Sequence, residues 1–163
     1  MGQIIAFANQ KGGVGKSTMT VQGAFYYALK KKKKVLVVDM DAQANSTSTL
    51  LGDDELTSTT SERLFEENLD EISIQTTESG IDLIGSNLVD NEGYDAEALP
   101  IEVAGNPAKH LETLRDKYDY IFLDCPPSLG RRLLSALLAA DFVVSPGVCG
   151  RRVGSSVHDN DQR

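Results

Sequence analysis

The sequence predicts an α/β fold in which a mainly parallel sheet is flanked by helices, on three observations. Short apolar runs, "QIIAFAN" (3–9), "KVLVVDMD" (34–41) and "YDYIFLDCPP" (118–127), are continuously hydrophobic, as strands covered on both faces are. Segments of helical spacing lie between them, and strands alternating with helices make a parallel sheet. The first run leads directly into a glycine-rich loop, "NQKGGVGKST" (9–18), with a helix behind it.

Taken in order, 3–9 is a strand, and 17–30 is a helix with Val21, Ala24, Phe25, Ala28 and Leu29 on one face. A second strand covers 34–41. The polar stretch "AQANSTSTLLGDD" is expected to be a long functional loop. A short helix at 60–67 is followed by strands at 72–77 and 81–86 around the turn Glu78-Ser79-Gly80. Helices are expected over 87–98 and 107–117, the second capped near Asn106 with Pro107 at its first position. A strand (118–127), a helix (131–140) and a last strand at 141–146 complete the pattern.

The chain has 163 residues, enough for one domain with a proper core, and 40% hydrophobic and 25% charged content. A net charge of −8 argues against a surface coated for nucleic acid. Cys125 and Cys149 make neither a disulfide framework nor a metal-ligand spacing, which suits a reducing compartment. The first apolar run is too short for a secretory signal, and nothing approaches the ~20 apolar residues of a membrane span. A cytoplasmic protein with no membrane partner is expected.

A strand, a glycine loop and a helix gather backbone N–H groups and a positive helix end around one point, a geometry that suits phosphate. Gly12, Gly13 and Gly15 let the backbone approach closely. Lys16 is placed to reach the β- and γ-phosphate oxygens, and the Ser17 hydroxyl to take one position on Mg²⁺. Gln10, however, stands where G-x-x-x-x-G-K-[ST] begins with glycine, and Lys11 is an extra cation. Asp39, Asp41 and Asp124 lie at the carboxyl ends of strands, where open α/β sheets bind ligands. Acids there can hold a Mg²⁺-bound water or orient the water that attacks phosphorus.

"KGGVGKST", "VLVVDMDAQANST" and "YDYIFLDCPPSLG" together resemble the ParA family of partition ATPases, within the ParA/MinD group of P-loop NTPases. The likeness runs from about residue 3 to Pro146. The resemblance implies binding and hydrolysis of ATP with Mg²⁺, in a switch between a monomer and an ATP-bound homodimer. It makes the loop a deviant Walker A motif whose signature lysine is Lys11, crossing the dimer interface to the partner's nucleotide. "NQKGG" is similar to the ParA branch, where the MinD branch has G-K-G-G. Lys11, Gly12, Gly13, Val14, Gly15, Lys16, Ser17, Thr18 and Asp39 become the nucleotide-binding set, with Lys11, Lys16 and Asp41 catalytic and Ser17 and Asp124 on the metal. Asp41 then orients the hydrolytic water, Asp39 begins the γ-phosphate switch, and Asp124 is the Walker B acid. Ala42 departs from the family's usual proline with little expected effect. Implied partners are a centromere-binding protein and non-specific DNA, with nucleoid association.

The resemblance ends at Pro146, so 1–146 is expected to be an incomplete ATPase domain that lacks the C-terminal part of the fold. Residues 147–163 are expected to be an irregular, disordered tail, and the 141–146 strand an apolar edge. Two other readings stand beside the partition ATPase: a non-catalytic remnant that folds or binds nucleotide, and a metabolic P-loop ligase. Lys30–Lys34 are expected to be a solvated helix end at the far end of the sheet from the phosphates. Arg131 and Arg132, where the family usually has apolar or small residues, are expected on the surface. Cys125 is expected in the core, and His110 and His158 in solvent.

Overall fold

The computed structural model describes residues 1–86 and 96–147. Six strands form one sheet: β1 (Gln3–Phe7), β2 (Val35–Asp39), β3 (Gln75–Thr76), β4 (Asp82–Ile84), β5 (Tyr120–Asp124) and β6 (Phe142–Val144), in the order β3-β4-β2-β5-β1-β6. All pairings are parallel except β3 with β4. The helices are α1 (Lys16–Phe25), continued by a wider π turn over Tyr26–Lys30, α2 (Asn45–Leu51), α3 (Asn106–Glu112) and α4 (Arg131–Ala139).

Both faces of the central strands are covered, which is why their sequences lack alternation. On β2, Val35 and Val37 pack with Val21, Ala24, Leu50 and Leu51 of α1 and α2. Leu36 and Val38 join the opposite layer, with Leu64, Phe65, Leu111, Leu133 and Ala136. Cys125 is buried there, as expected, and burial pushes its thiol pKa up to about 12, so it is an inert core residue.

Several expectations need correction. The segment read as a loop after residue 41 contains α2, because Ser46 and Thr47 turn inward to Asp124 and Asp39 and Leu50 and Leu51 are buried. The 60–67 helix is a 3-10 turn over Ser61–Phe65. The 72–77 strand shrinks to two residues, Gln75–Thr76. Of the helix expected at 87–98, residues 87–95 lie outside the described residues and 96–98 form a turn. Asn106 is not a cap: it is the first residue of α3, and its Nδ2 donates to the Phe65 carbonyl at 3.0 Å. That helix stops at Glu112, and a separate 3-10 turn, Arg115–Lys117, leads to β5. His110 is half-buried and bonded through Nε2 to the Glu66 carbonyl oxygen at 2.9 Å. The tail from 148 onward, with Cys149 and His158, lies outside the described residues.

Lys30–Lys34 are exposed, at the amino end of β2. Lys33 pairs with Asp119 at 3.2 Å, an exposed contact of little energetic consequence. At the other edge β6 exposes Phe142 and Val143, and α4 exposes Leu137 and Leu138. No described helix is long and apolar enough to cross a membrane.

Candidate nucleotide-binding site

Parallel pairing brings the carboxyl ends of β1, β2 and β5 level, with Phe7 beside Asp124 and Asp124 beside Asp39. The loop leaving β1 turns back over these ends and enters α1 at Lys16. Gly13 (φ 69°) and Gly15 (φ 87°) hold left-handed backbone, which a side chain would strain. A Cβ at Gly12, Gly13 or Gly15 would meet no protein atom within 4 Å, so this stretch of backbone is open on that side.

A cavity of about 640 Å³ opens over the loop. One wall is Gly12, Gly13, Gly15, Lys16, Ser17 and Thr18. The other is Asp41, Gln43, Asn45, Ser48 and Thr49, with Pro127 at the end of the β5 loop. Lys16 is buried at 6% exposure, whereas Lys11 is exposed and lies outside this lining. The Lys11 amide donates to Asn9 Oδ1 at 2.8 Å, and Asn9 Nδ2 donates to the Pro146 carbonyl at 2.7 Å. Val14 is half-buried and Thr18 exposed.

The three acids occupy different positions. Asp41 faces the cavity, and its Oδ1 accepts the Gln43 amide at 3.0 Å. Asp39 does not line it. Its Oδ2 accepts both the amide and the hydroxyl of Thr47 at 2.8 Å, and its Oδ1 accepts the Asp41 amide at 3.1 Å. Asp39 therefore caps the first turn of α2 from eight residues upstream, a service normally given by a local Ser, Thr, Asp or Asn. Burial, then the Asp124 charge, pushes its carboxyl pKa up to about 7 against the pull of these donors.

Asp124 is fully buried. Ser46 Oγ donates to its Oδ2 at 2.6 Å, while Oδ1 has no hydrogen-bond partner among the described residues. Burial raises this carboxyl's pKa, opposed by the Ser17 and Ser46 hydroxyls and by Lys16. The donor chemistry suits a hard cation: Asp124 keeps an unpartnered carboxylate oxygen behind the cavity wall and the Ser17 hydroxyl lines the cavity, both oxygen donors of the kind Mg²⁺ takes.

The wall contributed by α2 was absent from the sequence reading. Its signal was Asn45, Ser48 and Thr49 at helical spacing with Ser46, Thr47, Leu50 and Leu51 on the inner side. A second surprise is Arg132, expected on the surface yet only 6% exposed. Its Nη1 donates to Glu62 Oε1 at 3.0 Å and to the Met40 carbonyl at 3.4 Å. The Arg131 and Arg132 amides donate to the Glu97 carboxylate at 2.6 and 3.2 Å, which caps α4 from another part of the chain.

The model of the AAA domain family matches residues 2–155. The sporulation initiation inhibitor protein Soj of Bacillus subtilis is 39% identical over 153 residues, covering 91% of this chain and 59% of its own length. A partition-type plasmid protein of Borrelia burgdorferi, bound to AMPPNP, superposes with a TM-score of 0.73 at 35% identity, over 89% of this chain and 62% of that one. A cobyrinic acid a,c-diamide synthase of Mycobacterium smegmatis, with ADP and magnesium, gives 0.75 at 31% identity over 90% and 60%. The chain spans about half the length of the curated relatives it matches, between 47% and 59% of those compared. Its sheet, its loop and these matches agree: the chain belongs to the AAA domain family, as one of its ParA-like members.

Proposed function

We propose that the chain binds ATP with Mg²⁺ over the 10–18 loop and hydrolyses it, as the nucleotide-binding part of a ParA-like partition ATPase. The observation that carries this reading is the contrast between two lysines on one loop. Lys16 is buried against the cavity, while Lys11 is exposed and outside the lining, available to a second copy. A cation that serves a neighbouring protomer's phosphates acts as an arginine finger does in trans.

In this reading Lys16 and the loop amides hold the β- and γ-phosphate oxygens. Asp41, on the opposite wall, orients the attacking water. Ser17 and Asp124 hold the metal, whose charge offsets that of the phosphates when bound. Asp39 acts through α2, whose first turn it secures, so a change at the γ-phosphate would be relayed through the 41–49 wall. ATP favours a closed homodimer over the open monomer, which makes the nucleotide a switch for non-specific DNA and a centromere-binding partner.

The fold is common to partition proteins and to the diamide synthase, so fold alone does not select between an ATPase and an ATP-dependent ligase. Lys11 with Gln10 favours the partition type. Phosphate release from ATP and water alone, Mg²⁺-dependent and lost in Lys11→Ala together with ATP-dependent dimerisation in light scattering, is the expected result. Release that requires a carboxylic acid acceptor would replace this reading with a ligase. Binding of a fluorescent ATP analogue without any turnover would leave a nucleotide-binding remnant.

A further inference from the structure

Two peptide groups join Asp39 to Asp41, and the second, the Met40 carbonyl with the Asp41 N–H, is held at both ends. The N–H donates to Asp39 Oδ1 at 3.1 Å. The carbonyl accepts from Arg132 Nη1 at 3.4 Å. The preceding Met40 N–H donates to the Asp124 carbonyl at 2.9 Å, so the plane of the next peptide decides where the Asp41 carboxylate points.

Arg132 is itself fixed. Glu62 Oε1 accepts from its Nη1 at 3.0 Å and from Ser86 Oγ at 2.8 Å, and both charged residues are buried. The Ser86 amide donates to Thr47 Oγ1 at 3.0 Å, and that hydroxyl donates to Asp39. A closed polar circuit therefore runs Met40, Arg132, Glu62, Ser86, Thr47, Asp39 and back to the same peptide. A buried ion pair contributes little net stability compared with apolar residues of equal volume, so its presence here asks for another role. Orientation is the role the circuit offers.

We propose that Arg132, held by Glu62, is a positioning residue that locks the 40–41 peptide and so sets the Asp41 carboxylate in the cavity wall. Its functional reach rests on the reading of Asp41 as the acid that orients water. The grip on the peptide does not.

The test uses the full chain and the double variant Glu62→Gln/Arg132→Met. Arg132→Met alone would take the guanidinium away from the buried Glu62 carboxylate and could unfold the protein. In the double variant the glutamine side-chain carbonyl still accepts from Ser86, and the Arg132 and Glu62 charges are removed together. Hydrogen exchange resolved over 39–47 is the primary readout. The double variant is expected to exchange there faster by about tenfold or more, with the P-loop and strand cores unchanged. Affinity for a fluorescent ATP analogue should stay within about twofold of the parent, while turnover falls by about tenfold or more. Unchanged exchange over 39–47 in a folded double variant would overturn the proposal. So would faster exchange with undiminished turnover. A parent chain without turnover would count against the proposed ATPase activity, and the exchange arm would still decide whether Arg132 holds this peptide.

Discussion

Asp39 and Asp124 stand side by side on β2 and β5, in register and both without solvent exposure. Two carboxyls in that relationship are hard to ionise together, because burial penalises each charge and the neighbour's charge adds to it. Their surroundings divide them: Asp39 has three donors and a structural task, whereas Asp124 keeps one oxygen unengaged among the described residues.

A pH dependence follows from Asp39. Its folded pKa is raised from 3.8 to about 7 by burial first and Asp124 second. Between those values the folded chain holds a proton that the unfolded chain has released, so stability falls as pH rises through the window. The slope approaches about 1.4 kcal/mol per pH unit for one such group. Asp119 and Asp141, with lowered pKa, act below 3.8 and leave this window unaffected. Asp124, whose pKa burial also raises, adds a slope of the same sign, so Asp39→Asn should reduce the slope of urea midpoints measured across that window without abolishing it. A variant that keeps the parent's slope would place its origin in another group.

Lys16→Ala should weaken a fluorescent ATP analogue by about a hundredfold, since it removes charge-assisted bonds worth about 3 kcal/mol. Lys16 is the buried lysine of the cavity wall, with the glycines around it. Equal titration curves for variant and parent would mean that phosphate is bound elsewhere.

Asp41→Ala should separate turnover from binding. Its carboxylate lines the wall opposite Lys16 and is secured by the Gln43 amide, a placement for orienting water. Single-turnover phosphate release should drop by about two to three orders of magnitude, with affinity nearly unchanged. A parallel loss of affinity would make Asp41 a metal-holding or structural acid.

Gly130 offers a test of the remote cap on α4. A Cβ there would collide with the Glu97 carboxylate, driving it off the Arg131 and Arg132 amides. Gly130→Ala should therefore cost about 1 kcal/mol in denaturant unfolding, the usual worth of a cap. In a Glu97→Ala background the same change should cost only a few tenths of that, about the experimental error. Additive costs would show that Gly130 is needed for some other reason.

The strands and the loop were legible because each is a local signal: unbroken apolar runs for β1, β2 and β5, and glycines whose spacing serves phosphate. What escaped was set by distant partners. Serine and threonine normally compete with helical backbone, so "NSTSTLL" reads as a turn until Asp39 and Asp124 accept from Thr47 and Ser46. Arg132 reads as a surface charge until Glu62, 70 residues earlier, is placed beside it. Asp39 was recognised as a site residue from its strand end, yet its side chain braces α2, and only the fold reveals that direction.

The position of β1 in the sheet carries a consequence for how the molecule forms. Its neighbours are β5 and β6, and Ile4 exchanges hydrogen bonds with Asp141, 137 residues further on. A chain emerging from the ribosome amino end first thus produces its phosphate loop early but cannot flank it on either side until more than a hundred further residues have followed. Closing such long loops is entropically costly and slow. A strand made well before both of its partners is thus among the last to become native, and until then its apolar side chains are open to wrong partners.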